Sequence, residues 1–205
     1  TQDSQEFARD LLKLYARRSL VRVDPWHVFN DADHDMHATF GFQETPDQEQ
    51  AIRDVYEGLA GNEPMDRLVV GDVGFGKTEV AIRASYQAFL NKKQAVILCP
   101  TTLLAQQHYD TFTERLKPFG VRVEMLSRFT GHTTDSSVSI SDVIAALKSG
   151  QVDVIIGTHR LLSKDVDLSQ AGLIVIDEEQ RFGVRHKERL KDLRTQAHIL
   201  TLSAT

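Results

Sequence analysis

Residues 71–78, Gly71-Asp72-Val73-Gly74-Phe75-Gly76-Lys77-Thr78, fit every fixed position of the pattern GxxxxGK[ST]. Glycines let main-chain N–H groups turn inward around a cluster of anionic oxygens, a lysine reaches terminal phosphates, and a hydroxyl residue ligates magnesium. The apolar run Leu68-Val69-Val70 reads as an entering strand, and the residues from Lys77 onward as a helix whose positive dipole end faces the same point. A glycine-rich turn with a lysine by chance would not explain both flanks. Contacts to a nucleoside triphosphate are therefore expected from Gly71, Asp72, Val73, Gly74, Phe75, Gly76, Lys77, Thr78 and Glu79, with Lys77 catalytic and Thr78 on magnesium.

A second chemical element ends the apolar run Leu173-Ile174-Val175-Ile176 in Asp177-Glu178-Glu179-Gln180. In a parallel sheet the carboxyl ends of strands face the ligand, which would bring these acids beside the phosphate loop. Asp177 is then the magnesium holder, directly or through water, and Glu178 the group that orients and deprotonates an attacking water. Taken alone, two acids after a strand are as well explained by a solvated strand end. Their pairing with the phosphate pattern favours hydrolysis.

The elements that must position these groups are legible from periodicity. An apolar stripe of Phe7, Leu11, Leu12, Leu14 and Tyr15 predicts a leading helix over 6–18, and the mixed segment 24–41 reads as an irregular lead-in. From Thr45, a candidate cap before Pro46, helices and strands alternate. Strands are predicted at 68–71, 95–99, 121–126, 152–156, 172–176 and 197–202, and helices at 77–90, 102–117, 139–148 and 184–193. Val, Ile and Leu on both faces of the strands imply a doubly wound parallel sheet covered on two sides. Residues 130–141, rich in Gly, Thr, Ser and Asp, read as a mobile loop.

Composition narrows the class. At 41% hydrophobic and 26% charged residues the chain is an ordinary soluble one, with no apolar run of membrane-spanning length. Its net charge of -5 argues against a histone-like, charge-driven nucleic-acid binder. Cys99 is the single cysteine, which excludes an intrachain disulfide and suits a buried strand thiol in a reducing cytoplasm. Asp31, Asp33, His34, Asp35 and His37 are too crowded for a closed zinc site, and a polar loop is the better reading. Arg181, Arg185, His186, Lys187 and Arg189 read as a solvated helix face, with Arg181 and Arg185 placed to support the acidic motif.

The order GDVGFGKTEVAIRA, CPTTLLAQQHYDTF, VIIGTHRLL, LIVIDEEQRFGVRHKERLK and ILTLSAT resembles the nucleic-acid motors of helicase superfamily 2. Within them it is similar to the bacterial transcription-repair coupling factors and their RecG relatives, from the LLKLYARR helix to the last residue. Phe75 favours the coupling factors, since RecG-like proteins usually carry a small residue there. The fold this implies is a RecA-like P-loop domain, α/β with a mainly parallel sheet and helices on both faces. Residues 1–40 would form a connecting helix and lead-in, and 41–205 the first RecA-like lobe, with the second lobe absent.

The resemblance also implies roles for residues. Phe42-Gln43-Glu44-Thr45-Pro46-Asp47-Gln48 is similar to the adenine-recognising Q-motif: Gln48 would bond the adenine edge while Phe40 or Phe42 stacks on the ring. A helix start with a buried aromatic is the alternative. Thr101, Thr102, Arg128, Thr158 and His159 fall in motifs that contact DNA phosphates without reading bases, although 130–135 departs from the basic stretch of the relatives. Gln180 stands where many relatives have histidine and would still couple the magnesium site to the next motif. Ser203 and Thr205 belong to the motif that links hydrolysis to lobe movement.

The function implied is that of the ATP- and Mg2+-using lobe of a double-stranded DNA translocase that displaces stalled RNA polymerase and couples transcription to nucleotide excision repair. Polymerase and excision-repair proteins would be met through the full-length protein. No membrane is involved, and this length alone would be a cytoplasmic monomer that binds nucleotide with almost no turnover. A RecG-like or replication-restart helicase lobe is one alternative. A nucleotide-gated binding module without hydrolysis is another.

Overall fold

The computed structural model describes residues 2–72, 76–126 and 139–204. Its centre is a six-stranded, wholly parallel sheet of β1 (Asp66–Val70), β2 (Gln94–Leu98), β3 (Val123–Leu126), β4 (Val154–Gly157), β5 (Ala171–Asp177) and β6 (His198–Ser203), in the order β1-β6-β5-β2-β4-β3. Helices α1 (Gln2–Leu20), α2 (Asn30–Ala38), α3 (Pro46–Leu59), α4 (Lys77–Leu90), α5 (Thr102–Leu116), α6 (Ile140–Lys148) and α7 (Val184–Arg194) complete the fold.

Both faces of the central strands are buried, and their side chains sort by the two-residue period of a strand. Ala95, Ile97, Leu173, Val175 and Leu200 pack into one cluster with Ile52, Val55, Val80 and Phe112 from α3, α4 and α5. Val96, Leu98, Ile174, Ile176 and Ile199 join Val143, Leu147, Leu190 and Leu193 from α6 and α7 on the other side. This is the two-sided covering expected from the apolar runs. At the sheet's margin β1 departs from it: Leu68 is 58% and Val70 53% exposed, because a strand bonded only on one side is also left partly uncovered by helices.

Local signals set the helix ends. Thr45 accepts from the amide of Gln48 while the Gln48 side chain takes the Thr45 N–H at 2.8 Å, a capping box that starts α3 beside Pro46. Ser139 and Asp142 repeat the device for α6, so the serine-rich stretch read as a loop over 130–141 ends at this cap, and its residues through 138 lie outside those described. At the end of α5 a short 3-10 turn, Lys117–Phe119, closes on Gly120 in the left-handed region at φ 80°.

The lead-in is more ordered than its sequence suggested. Instead of an irregular stretch or polar loop, 30–38 is helix α2, with Asp31 and Asp33 in its first turn and His37 in its last, each complementing the helix dipole. Its amphipathic signal is weak because one side chain, Met36, is buried there, and the remaining anchoring is polar and long-range. Trp26 and Met36 belong to the same core cluster as α3 and α4. Residues 24–40 are thus packed onto the sheet domain.

Arg18, in the last turn of α1 and 6% exposed, donates to the carbonyls of Met65 and Ala197 and pins that helix to the amino ends of β1 and β6. Nearby, His198 accepts the Met65 amide at Nδ1 (2.9 Å) and meets the edge of Trp26 at 4.8 Å. Burial, and secondarily the Arg18 charge, push its imidazole from 6.5 down to about 4. The folded protein holds His198 neutral while the unfolded chain takes up a proton, so stability is full above pH 6.5 and is lost as pH falls toward 4. The shift corresponds to roughly 3 kcal/mol. Denaturant unfolding at pH 7 and pH 4.5 should show this loss, and a His198→Gln variant should show a shallower one. Identical pH profiles for the two proteins would rule the assignment out.

Candidate functional site

Three neighbouring strands deliver the chemistry. In register, Val70 of β1 lies opposite Ser203 of β6, and Leu202 of β6 opposite Asp177 of β5. The phosphate-loop strand and the acidic strand therefore flank β6, all three presenting carboxyl ends to the same side. Main-chain bonds tie their exits together: Gly71 N–H donates to Ser203 O at 3.1 Å, and Glu178 N–H donates to Leu202 O at 2.9 Å.

At the loop's far end Gly76 is in the left-handed region at φ 74° and caps α4. A Cβ at Gly76 would meet the tip of the Gln48 side chain, which can swing aside, so it is the left-handed backbone that favours glycine here. Lys77 Nζ donates to the carbonyls of Gly71 and Asp72, the latter at 2.9 Å, folding back over the loop it serves. Thr78, half-buried, follows on the first turn of α4. Val73, Gly74 and Phe75 lie outside the described residues, as do Arg128 and Thr205.

Across β6, Asp177 is 9% exposed and bonds His108 Nε2 from α5 at 2.8 Å. The chain then enters the left-handed region at Glu178 (φ 52°, ψ 55°), a conformation that costs a non-glycine residue on the order of 1 kcal/mol or more. Such a turn swings the Glu178 carboxylate toward β6, where one oxygen accepts the Ala204 N–H at 2.9 Å and the other the Gln180 amide. The expected link between the acidic element and the Ser203 segment is therefore made by Glu178 itself, with Gln180 bracing it. Cys99, fully buried just past β2, has its thiol pushed up by burial and by the Asp177 charge, and is inert.

Other predicted positions are less uniform. Phe42 is 78% exposed, while Phe40 lies edge-on to it at 5.6 Å with the Arg115 guanidinium 5.3 Å over its ring. Phe42 therefore presents the more open ring, packed edge-on against Phe40. Gln48 serves the capping box and its side chain lies beside Gly76, so the helix start is present, though without the buried aromatic of the alternative reading, since Phe42 is exposed.

Glu79 does not reach the loop. Its amide donates to Gly76 O, and its carboxylate, 4% exposed, takes Arg83 Nε at 3.0 Å and Arg115 Nη2 at 2.7 Å. A side chain on the third position of α4 points back over the helix and into the core, so Glu79 is a structural acid in this conformation.

Thr101 is exposed but spends its acceptor on the Leu104 N–H, capping α5, with Thr102 half-buried beside it. Thr158, at 4%, is buried at the end of β4, and His159 is half-buried against the His186 ring, 5.2 Å away. Arg181 is exposed, as expected of a solvated face, and the Arg185 side chain lies outside the described ones.

Sequence reasoning missed His108, Glu44, Arg83 and Arg115. His108 was findable: it shares the buried stripe of α5 with Ala105 and Phe112. Glu79 and Arg83 stand one helical turn apart in a helix buried from Glu79 to Ala88, a pair that must be neutralised internally.

Comparison with known proteins agrees with this arrangement. Residues 45–205 match the DEAD/DEAH box helicase family. The chain belongs to that family. Its sequence is 45% identical over 201 residues to a transcription-repair-coupling factor of Bacillus subtilis (strain 168), and equally so to one from Borreliella burgdorferi, covering 98% of this chain and 17% of each relative. A Staphylococcus haemolyticus coupling factor is 43% identical over 204 residues. Among solved structures, RecG bound to a three-way DNA junction superimposes with a TM-score of 0.78 at 31% identity, covering 94% of this chain and 25% of RecG. The chain has the fold of a RecG-like helicase lobe and spans about one sixth of the curated relatives' length. Helicases of this family use ATP with magnesium. No helix among the described residues is long and apolar enough to cross a membrane.

Proposed function

We propose that residues 41–205 form the first RecA-like lobe of a cytoplasmic double-stranded DNA translocase of the transcription-repair coupling kind, with α1 leading into it. The observation that carries the proposal is the lacing of three strand exits: Gly71 to Ser203, and Glu178 to Leu202 and Ala204. The similarity to RecG keeps a branch-migration lobe as the second reading.

The donor set fits a magnesium nucleotide. A left-handed glycine leaves no Cβ in the cradle, Lys77 Nζ can exchange two carbonyls for phosphate oxygens, and Thr78 and Asp177 supply the hard oxygen ligands magnesium prefers. When bound, the ion neutralises charge on the β- and γ-phosphates. Lys77 then holds the terminal phosphates, Phe42 covers the adenine face and Gln48 its edge. Glu178 is placed to accept the proton of an attacking water once its carboxylate leaves the Ala204 N–H. His108 orients Asp177 from behind, as outer partners commonly orient ligating groups. The bond from Gly71 to Ser203 gives the phosphate side a mechanical route to β6 and the lobe movement that follows hydrolysis.

Force on a stalled RNA polymerase and recruitment of excision-repair proteins would belong to the full-length protein. Arginines contributed across a cleft to phosphoryl transfer are worth roughly a thousandfold or more in rate. The isolated chain, a monomer, should therefore bind ADP or ATP with magnesium yet turn over negligibly, and rapid DNA-stimulated hydrolysis by the purified 205 residues would overturn this. Weak DNA binding through Thr101, Thr102 and His159 should fall roughly tenfold between about 50 and 200 mM salt if two phosphates are engaged. Salt-independent binding would point to base contacts instead.

A further inference from the structure

Two arginines on separate helices converge on one acid at the start of the phosphate-loop helix. Glu79 joins Arg83 of α4 and Arg115 of α5, and each arginine then reaches out to the segment that carries Phe40 and Phe42. Arg83, 5% exposed, donates to Glu44, whose carboxylate also takes His37 Nδ1 at 2.7 Å. Arg115 donates to the Thr39 hydroxyl, with the Met36 carbonyl at 3.4 Å, and its guanidinium covers Phe40. The segment 39–45 has little regular structure of its own, being a single residue past α2 at one end and the cap of α3 at the other.

We infer that Glu79, Arg83 and Arg115 form a positioning clamp that holds the adenine-facing segment 39–45 in register with the phosphate loop, and so sets the preference for adenine over other bases. The inference rests on the nucleotide reading above and deepens it. Mere stabilisation of the core would not require Arg83 and Arg115, which also meet Asp33, His37 and Met36 of α2, each to bond the short segment 39–45 from an acid two residues past Lys77. Buried ion pairs are poor sources of net stability compared with apolar packing, but they fix geometry where several hydrogen bonds converge. The Arg83 guanidinium makes directional contacts to Glu79, to Glu44 and to Asp33 of α2 at once, which lysine's point charge would not reproduce.

Arg115→Met and Glu44→Gln test the clamp, the first removing the hold on Thr39 and Phe40, the second removing charge at nearly constant volume. Dissociation constants for ADP, GDP and inorganic triphosphate are measured on each folded protein with magnesium present, alongside the melting temperature. The expected result is an ADP preference in the unaltered chain, about tenfold weaker ADP binding in both variants, and an ADP-to-GDP ratio compressed to near one, with triphosphate affinity unchanged. Equal weakening for all three ligands, or an unchanged ratio in either folded variant, overturns the inference. Hydrogen exchange on the unaltered chain supplies an arm that needs no variant. ADP, and not triphosphate, should slow exchange in both 39–45 and 112–117; protection that stops at 39–45 also overturns the clamp. If the unaltered chain binds neither ADP nor triphosphate, the nucleotide reading itself fails, and this inference with it.

Discussion

Replacing Glu178 with glutamine should abolish ATP turnover in the longer motor while leaving nucleotide affinity within about twofold. Glutamine retains the shape and an acceptor for the Ala204 N–H, so the bond from β6 and the left-handed turn survive, but its amide cannot take a proton from water. Loss of a general base typically costs a hundredfold to ten-thousandfold, so a fall on the order of a thousandfold in kcat is expected. The measurement is DNA-stimulated phosphate release beside equilibrium binding of a nucleotide analogue. If affinity and kcat fall together, Glu178 holds the site together instead of reacting in it. Full activity in the variant would favour a nucleotide-gated switch.

The second large effect is on binding. Lys77→Ala removes the ammonium that folds over the loop, leaving the carbonyls of Gly71 and Asp72 in place without the charge that would meet a terminal phosphate. Charge-assisted hydrogen bonds contribute about 1.5–3 kcal/mol each, so affinity for ATP should fall by roughly a hundredfold. Adenosine, which lacks phosphates, should bind the variant and the parent alike. Calorimetry with both ligands separates the two, and an equal loss for adenosine would mean the lysine supports the fold.

These two residues illustrate where a candidate role can be proposed from sequence. Lys77 lies in a motif whose spacing is itself the geometry, since eight consecutive residues make one loop. Glu178 needed a further rule, that parallel strands offer their carboxyl ends to ligands. The carboxyl ends of the loop strand and the acidic strand do come to the same side, because β1, β6 and β5 are neighbours in register. By contrast Glu79, adjacent to that motif and expected to contact nucleotide, turned inward, because its direction depends on Arg83 and Arg115 from the folded interior.

Helix α2 shows the same limit at the level of the fold. Periodicity detects helices that bury an apolar stripe, and α2 buries one methionine while Asp33 and His37 face Arg83, a residue far away in sequence. Thr158 was expected at a phosphate and lies buried, since a strand-end hydroxyl faces solvent or core according to what covers it.

The sequence by itself therefore determined the phosphate loop, the acidic strand end, the alternating α/β plan and the helix caps. Each is a local pattern in which the chemistry follows from residue type and spacing along the chain. Only the tertiary structure decided the strand order that inserts β6 between loop and acids, the His108 bond to Asp177, the choice of Phe42 over Phe40 as the open ring, and the charge cluster around Glu79. Those depend on contacts between residues distant along the chain, and such pairings leave no periodic trace in a single sequence.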